Sequence, residues 1–282
     1  MTIGEDNLDA LKTHGSSSAP EGGASLLSLI PEIPSNATRI LDFGCGNGST
    51  LMRLRSERNC SELYGIEIRN EYRQTLEVAL DKCWFLDLGQ DDAALEDAYL
   101  DYFNYILMLD VVEHLYDPWY VLPKLAQYLA PDGILIISVP NMRHWAVWCN
   151  ILRGQFVYGD GGGVMNEEHI RWFTWDTLRD LVSLSGLQIA VGRLTFPPNT
   201  DVKKMQERLK TPILDLELPP PEVDSKGPHT TIHFPETGSL NEQYPYFLAN
   251  KLIMICRRGS ALVSPVHTSV GVLAERRKRR DS

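Results

Sequence analysis

The sequence predicts an α/β protein with a mostly parallel, doubly wound sheet and helices on both faces. Three observations carry that reading. Short apolar runs rich in Ile, Leu, Val and aromatics alternate with stretches whose apolar residues recur three and four apart. The first apolar run ends in three alternate glycines, Gly44, Gly46 and Gly48. Acids close four runs in succession, at Asp42, Glu67, Asp87 and Asp110. Strand ends of this kind line the crevice where open α/β sheets bind ligands.

Taken in order, residues 1–23 are polar and acidic and predict a disordered segment, and Ala24–Ile30 predicts a short helix stopped by Pro31 and Pro34. Strands are expected over Arg39–Phe43, Leu63–Ile68, Cys83–Leu86, Tyr105–Leu109 and Ile134–Val139, all apolar enough for burial on both faces. Helices are expected between them, over Ser49–Glu57, Asn70–Leu80, Asp91–Leu100 and Trp119–Ala130. Strand–helix alternation implies right-handed crossovers. After Val139 the pattern changes. Met142–Leu152 and Thr174–Ser185 predict two further helices, with Thr174 an N-cap and Gly186 a stop. Leu187–Leu194 and Lys251–Cys256 predict two closing strands. The domain therefore spans 24–257, with a substrate-side segment at 141–175 and a Pro-rich insertion or lid at 196–245 that holds Pro219-Pro220-Pro221. Residues 258–282 form a basic flexible tail.

Composition narrows the function. The chain of 282 residues carries a net charge of -10, which disfavours broad contact with a phosphate backbone and makes nucleic acid an unlikely partner. The exception is Arg276–Arg280, a solvated basic run that an acidic surface or partner could also meet. No stretch of 18 apolar residues occurs, so no membrane span is expected. The five cysteines are scattered, without a CxxC pair, which suits reduced thiols in a cytoplasmic protein and no zinc knuckle.

In Ile40-Leu41-Asp42-Phe43-Gly44-Cys45-Gly46-Asn47-Gly48 an apolar strand meets a turn almost free of side chains, and a helix follows. A ligand can lie on such backbone, against unpaired N–H groups at the positive end of the helix dipole. The GxGxG spacing differs from the GxGxxG of dinucleotide sites. Glu67, 19 residues after Gly48, is placed to accept the hydroxyls of a ribose.

On these residues, 38–140 resemble the core of class I S-adenosylmethionine-dependent methyltransferases, and Leu41–Gly48 is similar to their first motif. The resemblance implies a Rossmann-like methyltransferase fold with seven strands in the order 3-2-1-4-5-7-6, and S-adenosyl-L-methionine as cofactor. It implies that Gly44, Gly46 and Gly48 cradle the methionine end, with Asp42 and Cys45 also at the cofactor, and that Glu67 binds the ribose. Asp87 and Leu88 would flank the adenine, and Asp110 would sit under the sulfonium. More narrowly, Asp110–Leu115, Val139-Pro140-Asn141 and His169–Thr174 resemble a subgroup similar to ubiquinone-biosynthesis and surface-sugar or natural-product O-methyltransferases.

Transfer to a hydroxyl needs a base, and histidine is the natural one near pH 7. His144 and His169 both lie in segments expected to face the crevice, with Arg171 orienting a polar acceptor. Asp110, Glu113 and His114 share one face of a helix start and could converge on a divalent ion, as an ExxEH motif does in the resembling ubiquinone-pathway enzymes. Here Asp stands in the first position, and no metal ligand is assigned. Trp145, Trp148, Phe156, Tyr158, Trp172, Phe173 and Trp175 suit core packing or the walls of a ring pocket.

The expected function is methyl transfer to an oxygen of a small polar metabolite, a sugar or biosynthetic intermediate, by a protein able to form a homodimer. An accessory protein of the methionine-biosynthesis type, which binds and activates an acyltransferase, shares the Pro-Asn strand end and His144-Trp145. The insertion and the Glu167–Thr174 segment fit that group less well. An RNA methyltransferase is the third reading, weakened by the acidic balance.

Overall fold

Ile40, Leu41 and Phe43 have no polar face to offer water, and strand β1 (Ile40–Phe43) is buried along its whole length. The computed structural model describes residues 33–159, 163–195, 229–231 and 246–259. Around β1, strands β2 (Leu63–Glu67) and β4 (Phe103–Leu109) pair in parallel on its two sides. β3 (Lys82–Phe85) adds beyond β2 and β5 (Leu129–Pro140) beyond β4, also in parallel. β6 (Leu187–Thr195) and β8 (Lys251–Arg258) complete the sheet antiparallel, with β8 inserted between β5 and β6. The predicted order 3-2-1-4-5-7-6 is therefore present, the seventh predicted strand being β8. A short strand, β7 (His229–Thr231), lies beyond β6 at the edge.

Period-two alternation sends neighbouring residues into separate cores. Leu41, Phe43, Ile106, Met108, Leu135 and Ile137 belong to one apolar cluster. Ile40, Leu107 and Ile136 belong to a second. Helix α1 (Ser49–Arg58) leaves the glycine turn, and α2 (Arg73–Ala79) follows β2. α3 (Pro118–Ala126) begins at Asp117, whose side chain accepts from the Tyr120 N–H. α4 (Trp145–Leu152) and α5 (Trp175–Leu184) follow β5. Thr174 caps α5 in a capping box with Thr177, as its place in the sequence predicts. Gly186 ends that turn at a φ of 74°.

One expected helix is absent. Asp91–Leu100 holds only a 3-10 turn at Asp97–Tyr99. Its polar groups are drawn into tertiary bonds instead. The Leu95 N–H donates to the Tyr128 hydroxyl at 2.9 Å, and Glu96 accepts from the Trp84 indole at 2.7 Å and from Lys82 at 2.5 Å. Tertiary packing overrides a weak local preference here. The expected N-terminal disorder, the helix at 24–30, the tail beyond Gly259 and the insertion at 196–245, apart from β7, lie outside the described residues.

The order of the strands reverses between β1 and β4, so the C-terminal ends of these two strands open a crevice. Asp42 and Glu67 are buried at the C-terminal ends of β1 and β2, Asp87 is exposed after β3, and Asp110 follows β4.

Candidate active site

All three glycines of the turn adopt left-handed backbone, with φ of 74° at Gly44, 55° at Gly46 and 79° at Gly48. At Gly44 a Cβ would also stand 2.8 Å from a Val111 methyl, so the turn packs directly on the loop after β4. The backbone is anchored from below. The Gly44 and Cys45 N–H groups donate to the Ile66 carbonyl, and the Gly46 N–H donates to Glu67 Oε2 at 2.7 Å. Glu67 is 3% exposed, and its Oε1 accepts from the Ile68 and Arg69 N–H groups and from Arg69 Nε. Arg69 itself folds back over the Tyr72 ring and comes within 3.6 Å of the Cβ site of Gly46.

Asp42 is buried at the end of β1, and burial, with the Glu67 charge adding, raises its carboxyl to about 7. Asp87 is exposed and folds into a local turn, accepting from the Gly89 N–H at 2.8 Å and the Gln90 amide at 3.0 Å. Leu88 beside it is fully buried in the core, and its carbonyl accepts from Lys124 Nζ at 3.2 Å. Asp110 stands in the left-handed region at a φ of 56°. Ser138 Oγ donates to Asp110 Oδ1 at 2.9 Å, and Lys251 Nζ pairs with Oδ2.

The donor set fits one class of cofactor. A turn without side chains can seat an amino-acid end, and a held carboxylate can accept a pair of sugar hydroxyls. Glu67 and Asp110 are already paired with Arg69 and Lys251, so the fit rests on shape and hydrogen bonding more than on net charge. S-adenosylmethionine is a cation, carries a ribose and has no phosphate.

The second half of the site is assembled over long range. After β4 a 3-10 turn, Val112–His114, presents Glu113 and His114. The Glu113 carbonyl accepts from the Ile170 and Arg171 N–H groups, both at 3.0 Å. The Met142 N–H donates to the Phe173 carbonyl, which fastens the same segment to the end of β5. This stitching brings His169 over Glu113. Ligand atoms of Glu113, His114 and His169 lie within 4.8 Å of one another. His169 Nε2 is 4.0 Å from Glu113 Oε1, and the two imidazole centroids are 4.7 Å apart. His169 Nδ1 lies 3.0 Å from the Val164 carbonyl and His114 Nδ1 3.1 Å from the Glu168 carbonyl. A carbonyl only accepts, so in the neutral form of either ring the proton belongs on Nδ1 and Nε2 is left without one. Neither Glu113 oxygen has a hydrogen-bond partner. Burial, helped by Asp110, raises its carboxyl to about 8, while burial lowers His169.

The predicted residues are therefore divided. His169 joins the cluster, whereas His144 precedes α4 with its ring 5.6 Å from that of Trp145. Asp110, expected beside Glu113 and His114 in the candidate metal face, is turned to Lys251 and Ser138 instead. The Arg171 guanidinium donates to the Ile170 and Tyr116 carbonyls and lies over the Tyr116 ring. Asn141 is fully buried and pins the chain, donating to the Tyr246 and Ala249 carbonyls. The aromatic group splits in two. Trp145, Phe173 and Trp175 are buried, while Trp148, Phe156 and Tyr158 are exposed. Phe156 and Tyr158 surround Trp172 with centroids 6.3 Å away. Lys251 and Arg69 escaped the sequence reading. Lys251 is 141 residues from its partner Asp110 and no local pattern marks it. Arg69, two residues past Glu67, had a local cue.

Among the described residues no helix is long and apolar enough to cross a membrane. Residues 17–190 match the family profile described as a methyltransferase domain. The fold is similar to that of an S-adenosylmethionine-dependent methyltransferase from Archaeoglobus fulgidus, with a TM-score of 0.55 at 16% identity over 90% of this chain and 100% of the other. It is also similar to a Listeria monocytogenes protein described as an S-adenosylmethionine-dependent methyltransferase, with a TM-score of 0.50 at 14% identity over 86% and 100%. No curated protein matches the chain significantly in sequence. The chain belongs to the methyltransferase-domain family.

Proposed function

We propose that the protein methylates an oxygen of a small polar acceptor, a sugar or a biosynthetic intermediate, held between the loop after β4 and residues 164–175. The observation that carries this reading is the bare Nε2 of His169, buried beside Glu113 one loop away from Asp110. When bound, S-adenosylmethionine supplies an electrophilic methyl group on sulfur. The chain supplies position and a proton acceptor. Gly44, Cys45, Gly46 and Gly48 seat the amino-acid end, and Glu67 takes the ribose hydroxyls once Arg69 yields its place. Asp87 and the Leu88 backbone border the base. Asp42 buttresses the turn from below.

His169 accepts the acceptor's hydroxyl proton at Nε2, with Nδ1–H held on the Val164 carbonyl so that the ring keeps its tautomer. Burial favours its neutral form, as a base requires. Of the two candidate histidines, His169 is preferred because its ring stands beside Glu113 and His114 just after β4. We assign Arg171 to bracing residues 170–172 against Tyr116, since its donors already meet backbone carbonyls there. Phe156, Tyr158 and Trp172 wall the acceptor space against water.

A second reading is favoured by the unpartnered Glu113 carboxylate. Glu113, His114 and His169 would hold a divalent cation, which would polarise the acceptor oxygen as a Lewis acid.

The test is turnover of the cofactor against a panel of sugars and phenolic intermediates, with the product's new methyl located by NMR. A methyl on oxygen is expected. Methylation of nitrogen or carbon, or of RNA alone, overturns the acceptor class, and a stoichiometric acyltransferase partner without turnover would restore the accessory reading. Chelator treatment decides between the two chemistries: an unchanged rate removes the cation and leaves His169 as base.

A further inference from the structure

Beneath the glycine turn lies a feature that methyl transfer does not use. Gly65, in the middle of β2, pairs in register with Asp42 of β1 and with Cys83 of β3. Two thiols reach over it, one from each side. A Cβ on residue 65 would stand 2.7 Å from Cys45 Sγ and 3.2 Å from Cys83 Sγ, closer than real Cβ contacts allow or nearly so. The missing side chain is what leaves room for both sulfurs over the same residue. Cys45 belongs to the turn itself, and its thiol is buried. Cys83 is partly exposed, so an oxidant reaches it first.

We propose that Cys45 and Cys83 form a reversible disulfide across Gly65 that draws the glycine turn down and releases the cofactor. The oxidant is a hydroperoxide such as hydrogen peroxide. The Cys83 thiolate attacks one peroxide oxygen, the O–O bond breaks, and hydroxide leaves and takes up a proton as water. The sulfenic acid on Cys83 is then attacked by the Cys45 sulfur. Its S–O bond breaks, the thiol proton leaves with the hydroxyl as a second water, and two thiols have become one disulfide. The neighbouring Cys45 thiol and then the Arg73 charge favour the thiolate at Cys83 against the effect of burial, while the Cys83 thiol and then burial hold Cys45 as the thiol.

The consequence follows from the anchoring. The two sulfurs must close to about 2.05 Å to bond. Because β2 and β3 are locked in register, Cys45 makes most of that movement. Its neighbours move with it, and they are the residues whose N–H groups bond the Ile66 carbonyl and Glu67 Oε2. The loss of cofactor binding rests on the proposed seating of S-adenosylmethionine in this turn; the disulfide does not.

The experiment treats the full chain with hydrogen peroxide, maps its peptides without reduction, and measures S-adenosylmethionine affinity by calorimetry before and after. A Cys45–Cys83 linked peptide is expected, with affinity at least tenfold weaker and restored by dithiothreitol. Cys83→Ser protein should bind the cofactor as the parent does and keep that affinity in peroxide. Three results overturn the proposal: oxidation of Cys83 without the linked peptide, a linked protein with undiminished affinity, or equal loss of affinity in Cys83→Ser. Should the untreated parent bind no S-adenosylmethionine, the cofactor seat fails, and with it the release of cofactor, while the peptide map still decides the bond.

Discussion

The two halves of the site are built by different means. The proposed cofactor half lies between Asp42 and Glu67 on adjacent parallel strands, and its contacts are mostly backbone to backbone or backbone to carboxylate. The acceptor half joins Glu113 and His114 to His169, more than fifty residues later, through the Ile170 and Arg171 N–H groups. One half is specified by a short string of glycines whose backbone few other residues adopt. The other depends on a loop segment docking correctly. The difference predicts that substitutions in the two halves should separate cleanly in binding and in rate.

The largest effect should come from the acceptor half. His169→Ala is expected to lower kcat by roughly 10²–10⁴-fold, the usual contribution of a positioned base or of a lost ligand to the reacting atom. Calorimetry on the same protein should find S-adenosylmethionine affinity unchanged. A variant that loses cofactor affinity in step with kcat would merge the two halves.

Glu67→Ala should do the reverse. It removes the acceptor of the Gly46 and Arg69 N–H groups as well as the proposed ribose contact. Weakening of cofactor binding by about 100-fold, roughly 2.7 kcal/mol, is expected. Equal affinity in calorimetry would contradict the seat.

The same contrast explains what was legible in the sequence. The parallel core was readable because buried strands in such sheets are apolar on both faces, as Ile40–Phe43 and Leu63–Glu67 are. The turn was readable because a left-handed φ at three alternate positions selects glycine. The Thr174 cap was readable for the same kind of local reason. Long-range partners were not. Asp110 carries no mark of its bond to Lys251, and the meeting of His169 with Glu113 awaited the docking of residues 169–173 on the loop after β4. The helix expected over Asp91–Leu100 failed on the same ground, because Tyr128 and Trp84 claim its polar groups from distant parts of the chain.

A third prediction sharpens the account of the turn. Folding holds the Asp42 proton up to a pH of about 7, against 3.8 for the free side chain, because burial penalises the charge. Between those values the native protein binds more protons than the unfolded chain, so stability falls as pH rises. Urea unfolding at pH 5 and pH 8 should show the parent losing about 2 kcal/mol that Asp42→Asn does not lose. Equal losses would mean that the carboxyl is solvated in the native turn.

The smallest effect tests the hinge of the acceptor half. Thr174 Oγ1 accepts from the Thr177 N–H, and Thr177 Oγ1 accepts from the Thr174 N–H, closing the first turn of α5 directly after Phe173. Phe173 is the residue whose carbonyl receives the Met142 N–H, so the cap fixes where the His169 segment leaves the sheet. Thr174→Ala should lower stability by about 1 kcal/mol, the ordinary value of an N-cap. Beyond that, acceptor KM should rise a few-fold while the cofactor Kd holds, since nothing in the glycine turn touches this cap. Were thermal unfolding to shift with both constants unmoved, the cap would serve the helix alone, and the placement of His169 would have to rest on the Glu113 carbonyl.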